Sequence, residues 1–270
     1  MTNAPNYRHS ARLALARAKA ELAATDPERL RYAALEFRNV LEALTYDRAQ
    51  AYNTEIPPEK YREWRPRKLM MSLLAIDPHI GMTSTIAIGL EDEPGKPAPR
   101  ENMKLLGTDH ALTLENLRKH YDAFGSYLHI QPPTGKEPDW PKLRQRCETV
   151  AGIAETILSS RVWNSTMGNF ATLDECMNED CKKPIRKRLP PGVTSLDVQC
   201  FECKAEYTLT PKDDGTVFFQ PKMTDVLCAN PECKHVMALW PHEIKPGTHW
   251  RCRECGTHSG IALSVEKIGD

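Results

Sequence analysis

Eight cysteines between Cys176 and Cys255 follow one spacing written twice. The first copy is Cys176-x4-Cys181, eighteen residues, then Cys200-x2-Cys203; the second is Cys228-x4-Cys233, eighteen residues, then Cys252-x2-Cys255. Each cysteine of the second copy stands 52 residues after its counterpart. A tetrahedral four-thiolate site needs two close pairs, each presenting two sulfurs to the metal, and a spacer that can fold back as a hairpin. The spacing therefore predicts two structural zinc ribbons with one Zn2+ in each. Four ligands fill the coordination sphere, so these metals hold structure rather than activate water. Iron of the rubredoxin type could use the same ligands, but the doubled x4 knuckle speaks for zinc. Disulfides would need an oxidising compartment. Met1-Thr2-Asn3-Ala4-Pro5 runs into a charged helical pattern with no apolar leader, so free thiols in a reducing cytosol are expected. Eight cysteines in matched knuckles are ligands before they are reactive thiols.

A second chemical signal follows the first knuckle: Lys182-Lys183-Pro184-Ile185-Arg186-Lys187-Arg188, five cations in seven residues. Loops of this kind on zinc ribbons can meet phosphates, each contact releasing a counterion. The bland reading is a solvated hairpin tip that balances Glu175, Glu179 and Asp180. Phe218, Phe219, Trp240 and Trp250 could stack on bases, but aromatic residues on small ribbons more often form their scant core. His235, His242, His249 and His258 surround the second ribbon, where four thiolates leave them no need to be ligands.

The rest of the chain must position these groups. At 270 residues there is room for one helical domain and small modules. Lys plus Arg equals Asp plus Glu at 36 each, so any electrostatic partner is read by a patch and not by bulk charge. No run of eighteen apolar residues suggests a membrane span.

Helical periodicity dominates residues 10–165. Ser10 is expected to cap a first helix through about Ala24. Asp26-Pro27 opens a second, whose Leu30, Ala34, Phe37, Leu41 and Leu44 make one buried stripe. Pro57-Pro58-Glu59 opens a third through about Ile76, with Tyr61, Trp64, Leu69, Leu73 and Leu74 as core and Pro66 kinking or splitting it. Ile80 to Leu90 is apolar but short and rich in Gly and Thr, which leaves helix and strand both open, and 91–102 reads as a loop. Thr108 or Asp109 caps a fourth helix bearing Leu114, Leu117, Tyr121, Phe124 and Leu128, with His110 in its first turn and His120 on its surface. Gln131 to Pro138 is a break. Asp139-Trp140-Pro141 starts a fifth helix with Leu143, Cys147, Val150, Ala154 and Ile157 on one face, Cys147 as a core thiol. Such a pattern predicts a mainly α up-and-down bundle followed by two small β ribbons. Arg161 to Glu175 reads as the linker. In the ribbons, strands are expected at Thr194–Val198, Ala205–Thr210 and Thr216–Gln220, then at Gly247–Arg251 and Ser259–Val265. The domains are 1–165, 166–222 and 223–270. Small ribbons bury little, so metal supplies much of their folding free energy.

Two stretches carry a family resemblance. Arg31-Tyr-Ala-Ala-Leu-Glu-Phe-Arg38-Asn-Val-Leu-Glu42-Ala-Leu and Leu117-Arg-Lys-His120-Tyr-Asp-Ala-Phe-Gly-Ser-Tyr-Leu-His129 resemble the HEPN superfamily over roughly residues 10–160. The resemblance implies a helical bundle that dimerises. For many members it also implies metal-independent RNA cleavage in toxin–antitoxin, phage-defence or RNA-processing systems. The family motif is Arg, four to six residues, then His. His129 matches the histidine in its Gly-Ser-Tyr-Leu-His run, while Asp122, Ala123 and Phe124 hold no arginine where one is due. Arg118, Lys119 or Arg38 would have to supply the cation that stabilises the phosphorane. The expectation is a cytoplasmic protein that engages nucleic acid, RNA before DNA, its bundle either cleaving at His129, with Arg118 from a partner chain, or serving as a dimer platform. The alternative is a non-catalytic scaffold whose ribbons dock a protein partner.

Overall fold

A computed structural model describes residues 5–62, 65–93, 96, 98–130, 137–166, 169–190 and 192–263. The chain divides into two compact units, 1–167 and 168–270.

The first unit opens with α1 (Tyr7–Leu22), capped by Asn6, whose side chain accepts from the His9 N–H at 2.9 Å; Ser10 lies inside the helix. Asp26 accepts from the Glu28 N–H and sets the turn into α2 (Arg29–Gln50). The five stripe residues Leu30, Ala34, Phe37, Leu41 and Leu44 are all buried. α2 is the hub, because α1, α4, α5 and α6 all pack against it. Pro66 does split the third helix, into α3 (Pro58–Arg62) and α4 (Pro66–Ile76): its missing N–H suits a first-turn position and no interior one. Leu69 and Leu73 are buried with Tyr61 and Leu74 packed on them, while Trp64 lies outside the described residues.

Between α4 and α5 the undecided stretch proves to be a strand and one expectation fails. Ser84–Ile88 and Lys104–Asp109 are strands, β1 and β2, paired as an antiparallel ribbon with a bulge between Ile86 and Ala87. Thr108 and Asp109 thus belong to a strand and do not cap a helix. The cap of α5 (Leu114–Tyr127) is Thr113, which accepts from the Asn116 N–H, and His110 precedes the helix. α6 (Trp140–Ser159) begins as expected, with Asp139 accepting from the Lys142 N–H. Its five-residue face is buried, and burial pushes the Cys147 thiol up to about 12. Residues 131–136 of the preceding break lie outside the described residues.

Besides buried polar side chains such as Thr45, Glu55, Asp77 and His120, the core of this unit holds one polar knot. Arg48 is bound two-pronged by Asp109 at 2.8 and 2.9 Å, both nearly buried. Beside it Arg8 meets Asp47 at 3.3 Å and donates to the Ile157 carbonyl at 2.7 Å. The chain after α6 seals the knot: Trp163 lies under the Arg8 guanidinium, Asn164 donates to the Asp47 carbonyl, and the Ser165 N–H donates to Asp109. Residues 163–165, expected as linker, are therefore part of the helical unit.

In the second unit, β3 (Asn169–Leu173) pairs with β4 (Ile185–Leu189), and β5 (Leu196–Gln199), β6 (Glu206–Pro211) and β7 (Val217–Pro221) form a three-stranded sheet. β8 (Thr224–Leu227) pairs with β9 (Val236–Leu239), and β10 (His249–Arg251) with β11 (His258–Gly260). Val265 lies outside the described residues. The two ribbons are not separate modules. Trp240, from the second, stands 5.4 Å from Tyr207 in the core of the first.

Two predictions follow from burial. Asp109→Ala strands the Arg48 charge and is expected to cost about 3–5 kcal/mol in chemical denaturation, while Arg48→Met with Asp109→Leu costs less, because both charges then leave. His120 is also buried, against Phe124 and near Arg146, contrary to the surface position expected for it. Burial, then the Arg146 and Lys119 charges, pull its pKa down to about 4. As pH falls below the ordinary value of about 6.5, the unfolded chain gains a proton that the folded ring refuses. The melting temperature of the helical unit should therefore fall between pH 6.5 and 5, and His120→Gln should flatten that slope.

Candidate metal centres and cationic surface

The eight cysteine sulfurs gather into the two sets that the spacing implies. Cys176, Cys181, Cys200 and Cys203 form one, Cys228, Cys233, Cys252 and Cys255 the other, with the sulfurs of each set within 4.8 Å of one another. In the first set Cys176 and Cys203 are 3.6 Å apart and Cys181 and Cys200 3.7 Å; in the second Cys228 and Cys255 are 3.6 Å apart and Cys233 and Cys252 3.9 Å. Zinc–sulfur bonds of about 2.3 Å at tetrahedral angles put sulfurs about 3.8 Å apart. Disulfide sulfurs would sit about 2.05 Å apart. All nine cysteines are free. Each set fits one zinc ion.

The duplication extends to the backbone. Cys176 N–H donates to the Lys183 carbonyl, and Cys228 N–H to that of His235, 52 residues on. Cys181 and Cys233 donate to the carbonyls of Asn178 and Asn230, whose side chains accept from the N–H of Asp180 and Glu232. Cys200 donates to Ala205 and Cys252 to Thr257, and the residues that close those turns, Lys204 and Gly256, are both left-handed at φ 65° and 73°. Glycine suits that conformation without strain, whereas lysine adopts it at a cost. The paired asparagines were visible in the sequence as Cys-x-Asn at both knuckles.

Outer partners differ between the sites. Tyr207 places its hydroxyl 3.0 Å from the Cys176 sulfur and accepts from the Met177 N–H at 2.9 Å. Burial and the Cys176 contact push this hydroxyl up, which keeps it a donor toward a thiolate. The position 52 residues on is Ser259, whose buried hydroxyl has no partner among the described residues. The second site instead has Thr257, whose hydroxyl lies 3.2 Å from the Cys255 sulfur, and Cys255 is exposed where Cys203 is half-buried.

The basic stretch is not one loop. Lys182 and Lys183 belong to the zinc knuckle, Lys182 left-handed at φ 53° and Lys183 fixed by its bond to Cys176. Arg186, Lys187 and Arg188 lie in β4, where successive side chains alternate faces. Arg186 and Arg188 share the Phe170 ring, at 3.9 and 4.6 Å from its centroid. Arg188 is buried, which leaves Lys182, Lys183 and Arg186 exposed and Lys187 half-exposed. Among the aromatic candidates, Phe219 and Trp240 are core, Trp250 is half-buried and Phe218 is half-exposed.

His129 and Arg118 are not brought together. Arg118 sits in the second turn of α5, exposed, 3.9 Å from the Met71 sulfur; His129 is exposed just past the helix end. They are eleven residues apart, roughly 16 Å at a helical rise. A different arginine approaches this end of α5. Arg38 lies 4.3 Å from the Tyr121 ring and fills the space beside Gly125, where a Cβ would come within 2.9 Å of its guanidinium. Tyr121 in turn donates to Glu42. A cavity of about 550 Å³ opens between Tyr52, Asp77, Ile86, Met103 and the Arg48–Asp109 pair, but neither His129 nor Arg118 lines it. No described helix is long and apolar enough to cross a membrane. No protein-family model, curated protein or solved structure matches the chain.

Tyr207→Phe should lower zinc affinity at the first site by about 10- to 100-fold and leave the second unchanged, in a chelator competition that follows the two metals separately.

Proposed function

We propose that this protein binds nucleic acid, RNA in the first instance, through the cationic knuckle and strand of its first zinc ribbon, the helical unit serving as a platform. The observation that carries the reading is the exposure of Lys182, Lys183 and Arg186, the two lysines on a backbone held in the knuckle of Cys176 and Cys181 and the arginine in the strand that follows. A phosphate that meets cations already held in place costs little ordering entropy. Phe170 beneath Arg186 holds that guanidinium outward by a cation–π contact. The preference for RNA rests on the HEPN-like helical stretches alone. A neutral chain with such a local patch binds by contact with the patch rather than by bulk attraction.

A second reading keeps catalysis, and the position of Arg38 supports it. With Arg118 roughly 16 Å along the helix, Arg38 beside Gly125 is the better-placed cation for a reaction at His129, four residues further on. In that scheme His129 takes the proton of the 2′-hydroxyl as its oxygen bonds to phosphorus, the P–O5′ bond breaks with the 5′-oxygen taking a proton from water, and Arg38 meets the charge that builds on the phosphorus oxygens.

Binding to a single-stranded RNA, followed across salt concentrations with both zinc sites loaded, tests the first reading. Replacing Lys182, Lys183 and Arg186 together by Ala should weaken binding and reduce the slope of log affinity on log salt by about 0.7 per lost contact. Binding that is absent, or unmoved by the triple change, removes the reading and leaves the ribbons as a protein-docking module. RNA turnover in metal-free buffer by wild type, His129→Ala and Arg38→Lys decides the second: only loss in both variants from an active wild type supports it.

A further inference from the structure

The two cysteine sets share a backbone pattern but not the same cover. Cys176 and Cys200 of the first set belong to the apolar core of the second unit, with Cys181 and Cys203 packed against it, whereas no cysteine of the second set does. The most open sulfur is that of Cys255, which is exposed where its counterpart Cys203 is half-buried. The tyrosine hydroxyl that covers Cys176 has no equivalent in the second set, because Ser259 stands at that position. Cys228 lies 3.6 Å from Cys255, so an oxidised Cys255 has a second sulfur in contact with it.

We propose that Cys255 and Cys228 form a site of oxidation by small hydroperoxides, and that the first set is the protected one. The step consumes one hydroperoxide and two thiolates. The Cys255 thiolate attacks one peroxide oxygen, the O–O bond breaks, and the sulfenic acid of Cys255 forms as hydroxide leaves. The Cys228 thiolate then attacks that sulfur, the S–O bond breaks, and a second hydroxide leaves as the disulfide forms. Two electrons pass from the sulfurs to the peroxide, and both hydroxides take protons from the buffer to become water. The two sulfurs close from 3.6 Å to about 2.05 Å. Cys233 and Cys252 then offer half of the four ligands that a structural zinc requires, and the metal is lost.

The consequence reaches the first site through one indole. Trp240 stands in the segment between Cys233 and Cys252, whose two ends the second metal ties together. It is 4 % exposed, and its ring centroid lies 5.4 Å from that of Tyr207. Tyr207 in turn presents its hydroxyl to the Cys176 sulfur at 3.0 Å. Loss of the second metal frees this segment and withdraws the indole, so Tyr207 is held less firmly toward Cys176 and the first site binds zinc more weakly. Oxidation is therefore ordered, the open site first and the covered one after it.

The zinc-loaded full chain, treated with hydrogen peroxide beside a chromogenic chelator, should release the metal of one set before that of the other. Peptide mass mapping at that point should find a Cys228–Cys255 disulfide and the first set still reduced. Dithiothreitol with added zinc should restore both metals. Cys255→His keeps four ligands and removes the attacking thiolate, so it should hold both metals through the same treatment. Trp240→Ala, with no oxidant present, should lower zinc affinity at the first site by about 10-fold, and an unchanged affinity there overturns the link between the sites. Mass mapping of the wild type decides the site of oxidation even if the Cys255→His variant fails to take up metal. Release of both metals in one phase, oxidation that starts in the first set, or a disulfide between other sulfurs overturns the proposal.

Discussion

Four sulfurs held about 3.8 Å apart around one cation set the shape of everything after residue 168. Each set draws two knuckles together, and the knuckles impose the N–H to carbonyl bonds and the left-handed residues that recur 52 positions apart. The apolar core that results is small: Tyr207, Phe219 and Trp240 with a few aliphatic neighbours. Such a core does not offset the ordering entropy of a hundred residues, so the metal–thiolate bonds supply the difference. That the second ribbon lends Trp240 to the first follows from the same shortage. A lone ribbon has two sheet faces and too few large side chains to cover them, and sharing one indole covers a face in each.

The helical unit solves the opposite problem. Its apolar stripes suffice, and what needs explanation is the buried charge. Arg8, Asp47, Arg48 and Asp109 would each be costly alone, but as two contacting pairs, with the Ile157 carbonyl accepting from Arg8 and the Ser165 N–H donating to Asp109, they are largely satisfied. A hydrophobic substitute would hold the helices as well. It would not specify that β2 and the residues after α6 end at this one point, so the knot fixes register where greasy contacts would slide.

Spacing was the most legible feature, because metal geometry translates directly into intervals along a chain. The ligands and the five-residue stripe of α2 could be read without a structure for that reason. The ribbon β1–β2 could not. A strand exposed on both faces shows no alternation of apolar and polar residues, and periodicity is the signal on which such readings depend. Asp109 looked like a helix cap since it stands before Leu112 and Leu114; its carboxylate instead answers a buried arginine 61 residues away, which no local window contains. His120 did leave a trace. It falls three residues after Leu117 and four before Phe124, on the stripe that buries both, and polarity alone suggested the surface. Tyr207 left none: only the folded ribbon brings its hydroxyl to Cys176.

A run of like charges is a property of the string, not of the surface. Five cations in seven residues suggested a uniform patch, but burial divides them: Arg186 and Arg188 share one face of β4 and the Phe170 ring, yet only Arg186 is exposed. Ile185 turns into the core and Arg188 is buried on the opposite face against Phe170, so the strand spends one of its charges on packing. The two lysines before it escape that division because they sit in a turn dictated by the metal, and a turn has no inner face to lose them to. The cations free for a phosphate are therefore the two lysines beside the zinc knuckle and Arg186, the one arginine of the strand that packing leaves exposed. Any contact that reads this surface depends on the metal twice, once for the fold of the ribbon and once for the direction in which Lys182 and Lys183 are presented.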